Sequence, residues 1–133
     1  MARMTGKVAL VVGGAKGIGL ATARVLAEEE ATVILTGRRQ QEVTAAAESI
    51  GPSAQGINAD AASQADLERV MGEAQRLHGR IDALVLNAGL SEPATLPEET
   101  AEHFDRHFAV NVRGAMFGIQ ASLPLLRDGA SVV

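Results

Sequence analysis

The sequence predicts an α/β fold, a doubly wound parallel sheet that stops after about its fifth strand. Three observations predict it. Short apolar runs rich in β-branched residues alternate with longer stretches of helical periodicity from one end of the chain to the other. The first run, Val8 to Val12, is continuously apolar rather than alternating, the mark of a strand covered on both faces. A glycine-rich turn then joins that strand to a helix, as in a right-handed crossover between parallel strands.

The elements follow in order. A helix from about Gly17 to Glu30 is expected to turn Ile18, Ala21, Val25 and Leu26 toward the core. Thr32 to Thr36 reads as the second strand. A helix from about Gln41 to Ile50 carries Val43, Ala46, Ala47 and Ile50 on its inner stripe, and Gly51-Pro52 stops it. Ala54 to Asn58 is a third, weaker strand. Ser63-Gln-Ala-Asp66 resembles a capping box with Asp in the usual Glu position, and Leu67, Val70, Met71, Ala74 and Leu77 then recur at helical spacing until Gly79. Ala83 to Leu86 is the fourth strand. A loop with Pro93 and Pro97 leads to a helical segment in which Phe104 and Phe108, one turn apart, are expected in the core. A further helix is expected from about Asn111 toward Leu126, and Ala130 to Val133 reads as a fifth strand just beginning.

The alternation β-α-β-α-β-α-β-α-α-β is that of a Rossmann-like sheet with helices on both faces, and 133 residues suit one such domain, residues 1–133. At 47% apolar and 21% charged the composition is globular, so a core forms without disulfide or metal staples. A net charge of −4 without blocks of like charge argues against nucleic acid or an anionic membrane as partner. The absence of cysteine excludes disulfides, thiolate nucleophiles and cysteine-based zinc sites. No signal-peptide core or membrane-length run is present, and a cytoplasmic protein is expected.

Gly13, Gly17 and Gly19 stand at the junction of the first strand and first helix. Such a turn needs positive φ, and close packing of helix on strand needs a missing Cβ. The helix N-terminus then offers free amides and partial positive charge to a pyrophosphate. Absence of Gly-Lys-Ser/Thr argues against an NTP-hydrolysing P-loop.

This Gly-x-x-x-Gly-x-Gly spacing resembles the short-chain dehydrogenase/reductase family, whose motif is Thr-Gly-x-x-x-Gly-x-Gly; Val12 replaces the Thr. Three further segments resemble the family in the expected order: Asp60 after the third strand, Leu86-Asn-Ala-Gly89 after the fourth with Leu86 replacing an Asn, and Val110-Asn-Val-Arg-Gly114. Each alone reads as loop or cap chemistry. Their joint order carries the resemblance, and it covers essentially the whole chain.

The resemblance implies an NAD(P)-dependent oxidoreductase that interconverts an alcohol and a carbonyl by hydride transfer. It implies a cofactor site of Gly13, Lys16, Gly17, Ile18 and Gly19, with Asp60 at the adenine, Asn87 bracing the sheet and Ala88 and Gly89 against a ribose. Asn111 would be the family's catalytic Asn.

The second strand ends Gly37-Arg38-Arg39, with no carboxylate to accept from a ribose 2′-OH. Two guanidinium groups, with Lys16 nearby, suit a 2′-phosphate, so NADP(H) is favoured and NAD(H) kept as the alternative.

The family's acid–base chemistry uses a Ser after the fifth strand and Tyr-x-x-x-Lys on the next helix. This chain has no tyrosine, and Ser131 lies within the strand motif rather than after it. The chain is therefore expected to be the N-terminal half of a longer enzyme, inactive or nearly so alone. The resemblance also implies a homodimer or homotetramer when intact, partly through the helix after Asn111. A non-catalytic dinucleotide-binding or regulatory module, and a methyltransferase using S-adenosylmethionine, are the competing readings. His103 and His107, one turn apart without an evident third ligand, are expected as a surface pair, and Glu98-Glu99 as first-turn acids.

Overall fold

The structure, a computed structural model, describes residues 1–133. Five strands, β1 (Val8–Val12), β2 (Thr32–Gly37), β3 (Ala54–Asn58), β4 (Ile81–Leu86) and β5 (Leu126–Val132), form one parallel sheet in the order β3-β2-β1-β4-β5. The helices are α1 (Gly17–Glu28), α2 (Gln40–Ile50), α3 (Gln64–Leu77), α4 (Ala101–Phe108) and α5 (Gly114–Ser122). Strand order reverses between β1 and β4, which opens a crevice beyond their carboxyl ends. No helix is long and apolar enough to cross a membrane.

Successive residues of a strand face opposite sides, and this splits the core in two. Leu10, Val12, Ile34 and Leu84 point one way, onto Leu67, Val70, Met71 and Ala74 of α3, with Phe117 of α5 partly buried against them. Ala9, Val11, Val33 and Leu35 point the other way, onto Ala23 of α1 and Val43 and Ala46 of α2. All five residues of β1 are buried, as its unbroken apolar run predicts.

Several expectations need correction. On α1 the buried positions are Gly19 and Ala23, with Leu26 partly buried, whereas Ile18 is 78% and Val25 52% exposed and Ala21 also faces outward. This helix is apolar around most of its circumference, so periodicity does not select a face; contact at Gly19 does. The helices expected around Phe104 and from Asn111 form a single rod, α4 and α5 being joined by a π-helical turn at Ala109–Arg113. Phe104 and Phe108 stack with ring centroids 4.4 Å apart, but on the outside of that rod and about half exposed. β5 begins at Leu126, not Ala130. The polar run Arg127-Asp128-Gly129 hides its start, tolerated because β5 is an edge strand with a register shift opposite Ile81 and Ala83.

Local signals otherwise act as expected. The Ser63 hydroxyl accepts from the Asp66 amide at 3.2 Å and caps α3. The shorter Asp66 carboxylate does not close the box on Ser63 but accepts from the Asp60 amide at 2.8 Å. Glu98 closes a capping box with Thr95 on a short 3₁₀ turn, Leu96–Glu98.

Candidate functional site

The turn after β1 is shaped by its glycines. Gly13 has φ 81° and Gly17 φ 57°, a region that favours glycine. A Cβ on Gly13 would lie 2.7 Å from the backbone of Ala88, and one on Gly19 would lie 2.0 Å from the Gly13 carbonyl oxygen. The loops after β1 and β4 therefore touch backbone to backbone. The Asn87 side-chain amide donates to the Gly13 carbonyl at 3.0 Å, and the Ala88 amide donates to the Val12 carbonyl at 2.9 Å. Thr36, buried at the end of β2, accepts from the Gly13 amide on its hydroxyl at 3.2 Å and from the Gly14 amide on its carbonyl at 2.8 Å. That hydroxyl holds the turn although Val12 carries none.

The first turn of α1 is left open. No side chain caps it and it contains no acid, while α2, α3 and α4 each carry an acid there and α3 and α4 are capped by side chains. Open amides without a competing carboxylate favour an anion at this end. Around Gly17 a Cβ would meet nothing within 4 Å, so ligand atoms could approach its backbone.

A cleft of about 390 Å³ lies beyond the carboxyl ends of the strands. Gly13 and Lys16 form one wall, Gly37 and Arg38 continue it from β2, Asp60 follows β3, and Asn87, Ala88 and Gly89 close it after β4. These eight sequence-predicted residues come together. Lys16 and Arg38 are both exposed there and neither pairs with an acid. Arg39 is different: it pairs with Glu42 at 3.0 Å, along α2 and away from the lining. Gly17 and Gly19 shape the turn without lining the cleft, and Ile18 faces a separate groove beside Leu26, Ala83 and Val85. The Asp60 carboxylate accepts from the Ala62 amide at 2.8 Å, a short Asx turn.

Asn111 sits in the π-helical turn beside the cleft. Its amide accepts from the Leu90 N–H and donates to the Leu90 carbonyl, both at 2.8 Å, like a neighbouring strand. Periodicity does not foresee the far end of the cleft, where Glu92 and Arg106 form an ion pair at 2.6 Å. Arg106 holds the Glu92 carboxyl below the usual range, chiefly by that hydrogen bond. A loop acid and a helical base fourteen positions apart carry no joint pattern in the sequence; only folding reveals them. Nor are His103 and His107 a free surface pair, since both engage the backbone of Glu92.

Known proteins share this geometry. Residues 7–133 match the short chain dehydrogenase family. The chain is 41% identical over 119 residues to a sorbitol dehydrogenase of Cereibacter sphaeroides, covering 90% of this chain and 46% of that protein. It is 37% identical over 133 residues to oxidoreductase asL5 of Sarocladium schorii, covering 98% of this chain and 53% of that one. Among solved structures, an active-site complex of Pseudomonas aeruginosa RhlG with NADP superposes with a TM-score of 0.89 at 35% identity, over 96% of this chain and 51% of that one. The chain thus spans about half the length of the curated relatives it matches.

Proposed function

The chain belongs to the short chain dehydrogenase family, and from that premise we propose that it is the dinucleotide-binding part of an oxidoreductase that prefers NADP(H) to NAD(H). In the intact protein, hydride passes between the nicotinamide and the carbon of a small alcohol or ketone. The observation that carries the cofactor reading is the pair of unpaired cations, Lys16 and Arg38, opening on the cleft that begins at the uncapped end of α1. That end suits a pyrophosphate, and Arg38 after β2 together with Lys16 from the turn after β1 suits a third phosphate on the adenosine ribose.

When bound, the nicotinamide supplies the hydride chemistry. The residues present bind and orient: Gly13 and Ala88 bring the two loops to backbone contact, Asn87 locks them, and Asn111 fixes Leu90 beside the cleft. Asn111 is proposed as the member of the family's catalytic set that lies within these residues. The chain has no tyrosine, so the family's proton donor is not among its 133 residues. The face of β4 and β5 next to α1 is a bare groove of about 580 Å³ lined by Ile18, Leu26, Ala83 and Val85, which fits a following helix brought back by a right-handed crossover. We further propose self-association of the intact protein through the apolar outer side of α4 and α5.

The test is a calorimetric titration of the chain with NADP⁺ and NAD⁺, repeated for Arg38→Asp. NADP⁺ is expected to bind more tightly. The substitution should weaken it by roughly tenfold to a hundredfold, the scale of a lost charge-assisted hydrogen bond, and leave NAD⁺ nearly unchanged. Equal affinities untouched by the substitution would remove the phosphate role of Arg38. No binding of either nucleotide would remove the cofactor site itself.

A further inference from the structure

The loop that follows β4 forms one wall of the cleft through Leu90 and Glu92, and two histidines of α4 hold it. The Glu92 N–H donates to His107 Nε2 at 3.0 Å. The other ring nitrogen, His107 Nδ1, therefore carries the hydrogen and donates to the His103 carbonyl at 2.8 Å. His103 Nε2 lies 2.7 Å from the Glu92 carbonyl oxygen, which can only accept, so Nε2 donates. His103 Nδ1 lies 2.7 Å from Glu99 Oε1, although outside good hydrogen-bond alignment. Both backbone polar groups of Glu92 are thus taken up by imidazoles one turn apart, with ring centroids separated by 4.2 Å.

The two rings need opposite protonation. His103 donates at Nε2 and faces a carboxylate at Nδ1, and a charged ring satisfies both. Glu99 first, and the Glu92 carbonyl second, raise its pKa above the ordinary imidazole value. His107 must keep a bare Nε2, because a proton there turns the acceptor of the Glu92 N–H into a second donor pointed at it. The charged groups facing His107 are Glu92 from the loop, Glu99 from the turn before α4, and His103 and Arg106 from α4 itself.

We propose that His103 and His107 form an acid-released latch on the wall of the cleft, closed while His107 is neutral and opened when it gains a proton from solvent. Opening releases the Glu92 N–H and loosens the wall that His103 and Arg106 still hold, so dinucleotide affinity falls on the acid side. That last consequence rests on the cofactor reading above. The latch itself does not.

Amide hydrogen exchange on the ¹⁵N-labelled chain tests the latch without any ligand. The Leu90 amide is an internal control, since the side chain of Asn111 holds it and does not titrate. Between about pH 8 and about pH 5.5, the range in which histidine changes charge, protection of the Glu92 amide should fall about tenfold, as for loss of one ordinary hydrogen bond. Leu90 should keep its protection. In His107→Gln the side-chain oxygen accepts without titrating, and Glu92 should stay protected throughout. In His103→Gln, where His107 is intact, the fall should persist. A flat Glu92 profile in the unaltered chain, an equal fall in His107→Gln, a flat profile in His103→Gln, or loss of Leu90 together with Glu92 would each overturn the proposal. A parallel NADPH fluorescence titration separates the two ideas. Binding with a flat Glu92 profile sinks the latch alone, and an acid-dependent Glu92 without binding at any pH sinks the cofactor reading alone.

Discussion

Gly17 and Gly19 stand two residues apart and answer to different physics. Gly17 is glycine for its φ of 57°, with open space where a Cβ would go. Gly19 is glycine for space, because a Cβ would press on the Gly13 carbonyl and lie 2.7 Å from the side-chain nitrogen of Asn87. Urea denaturation should separate them. Gly17→Ala should cost about 1 kcal/mol, the strain of a left-handed residue with a Cβ, and Gly19→Ala about 3 kcal/mol, the upper end of ordinary overpacking. The opposite ranking would mean that the β1–α1 turn does not pack as described. The motif spacing identifies both glycines, but the chain neighbours of Val12 say nothing of Thr36. Its hydroxyl reaches the Gly13 amide only because β2 lies beside β1.

Elements with a single apolar stripe are legible in the sequence, and elements without one are not. α3 buries Leu67, Val70, Met71 and Ala74, as their spacing requires. α1, apolar nearly all round, takes its orientation from the contact at Gly19. At the start of β4, Asp82 sits with its side chain only 8% exposed, accepting from the Val8 amide at 2.9 Å and from Arg80, with Lys7 farther off. Burial works to raise its pKa, but the Arg80 guanidinium, the Val8 amide and Lys7 outweigh it and hold the carboxyl below its usual value. A lowered folded-state pKa contributes stability above the unfolded pKa of about 3.9, and that contribution disappears as pH falls through the folded value. Asp82→Asn should therefore cost about 2 kcal/mol at neutral pH, the order of a charge-assisted hydrogen bond. In urea titrations the gap from the unaltered chain should close as the pH is lowered. A gap independent of pH would assign the loss to packing instead of charge.

Over the whole molecule, the apolar surface is unevenly placed. Phe104, Phe108, Val112, Met116, Ile119 and Leu123 recur every three or four residues along the continuous α4–α5 rod, and all are exposed. An uncovered stripe of this length is unusual for a monomer and fits the proposed self-association. Sedimentation velocity should show concentration-dependent association that Phe104→Glu with Phe108→Glu abolishes while the helical circular dichroism is retained. A chain that stays monomeric at every concentration, or a double variant that associates as before, would assign the stripe no role between copies. One turn of spacing misplaces the phenylalanines because periodicity marks an apolar face without saying whether the same chain buries it.

The sequence alone determined the parallel α/β architecture, the glycine turn and the order of the motifs, because these depend on local periodicity, backbone conformation and residue spacing along one strand or helix. Tertiary structure alone decided which way α1 faces, that Thr36 braces the turn, that Arg38 opens on the cleft while Arg39 turns to Glu42, and that two histidines grip Glu92. Apart from the Arg39–Glu42 pair, three residues apart at the start of α2, each of those is a contact between segments far apart in the chain, where distance in space is set by the packed sheet and no local pattern records it.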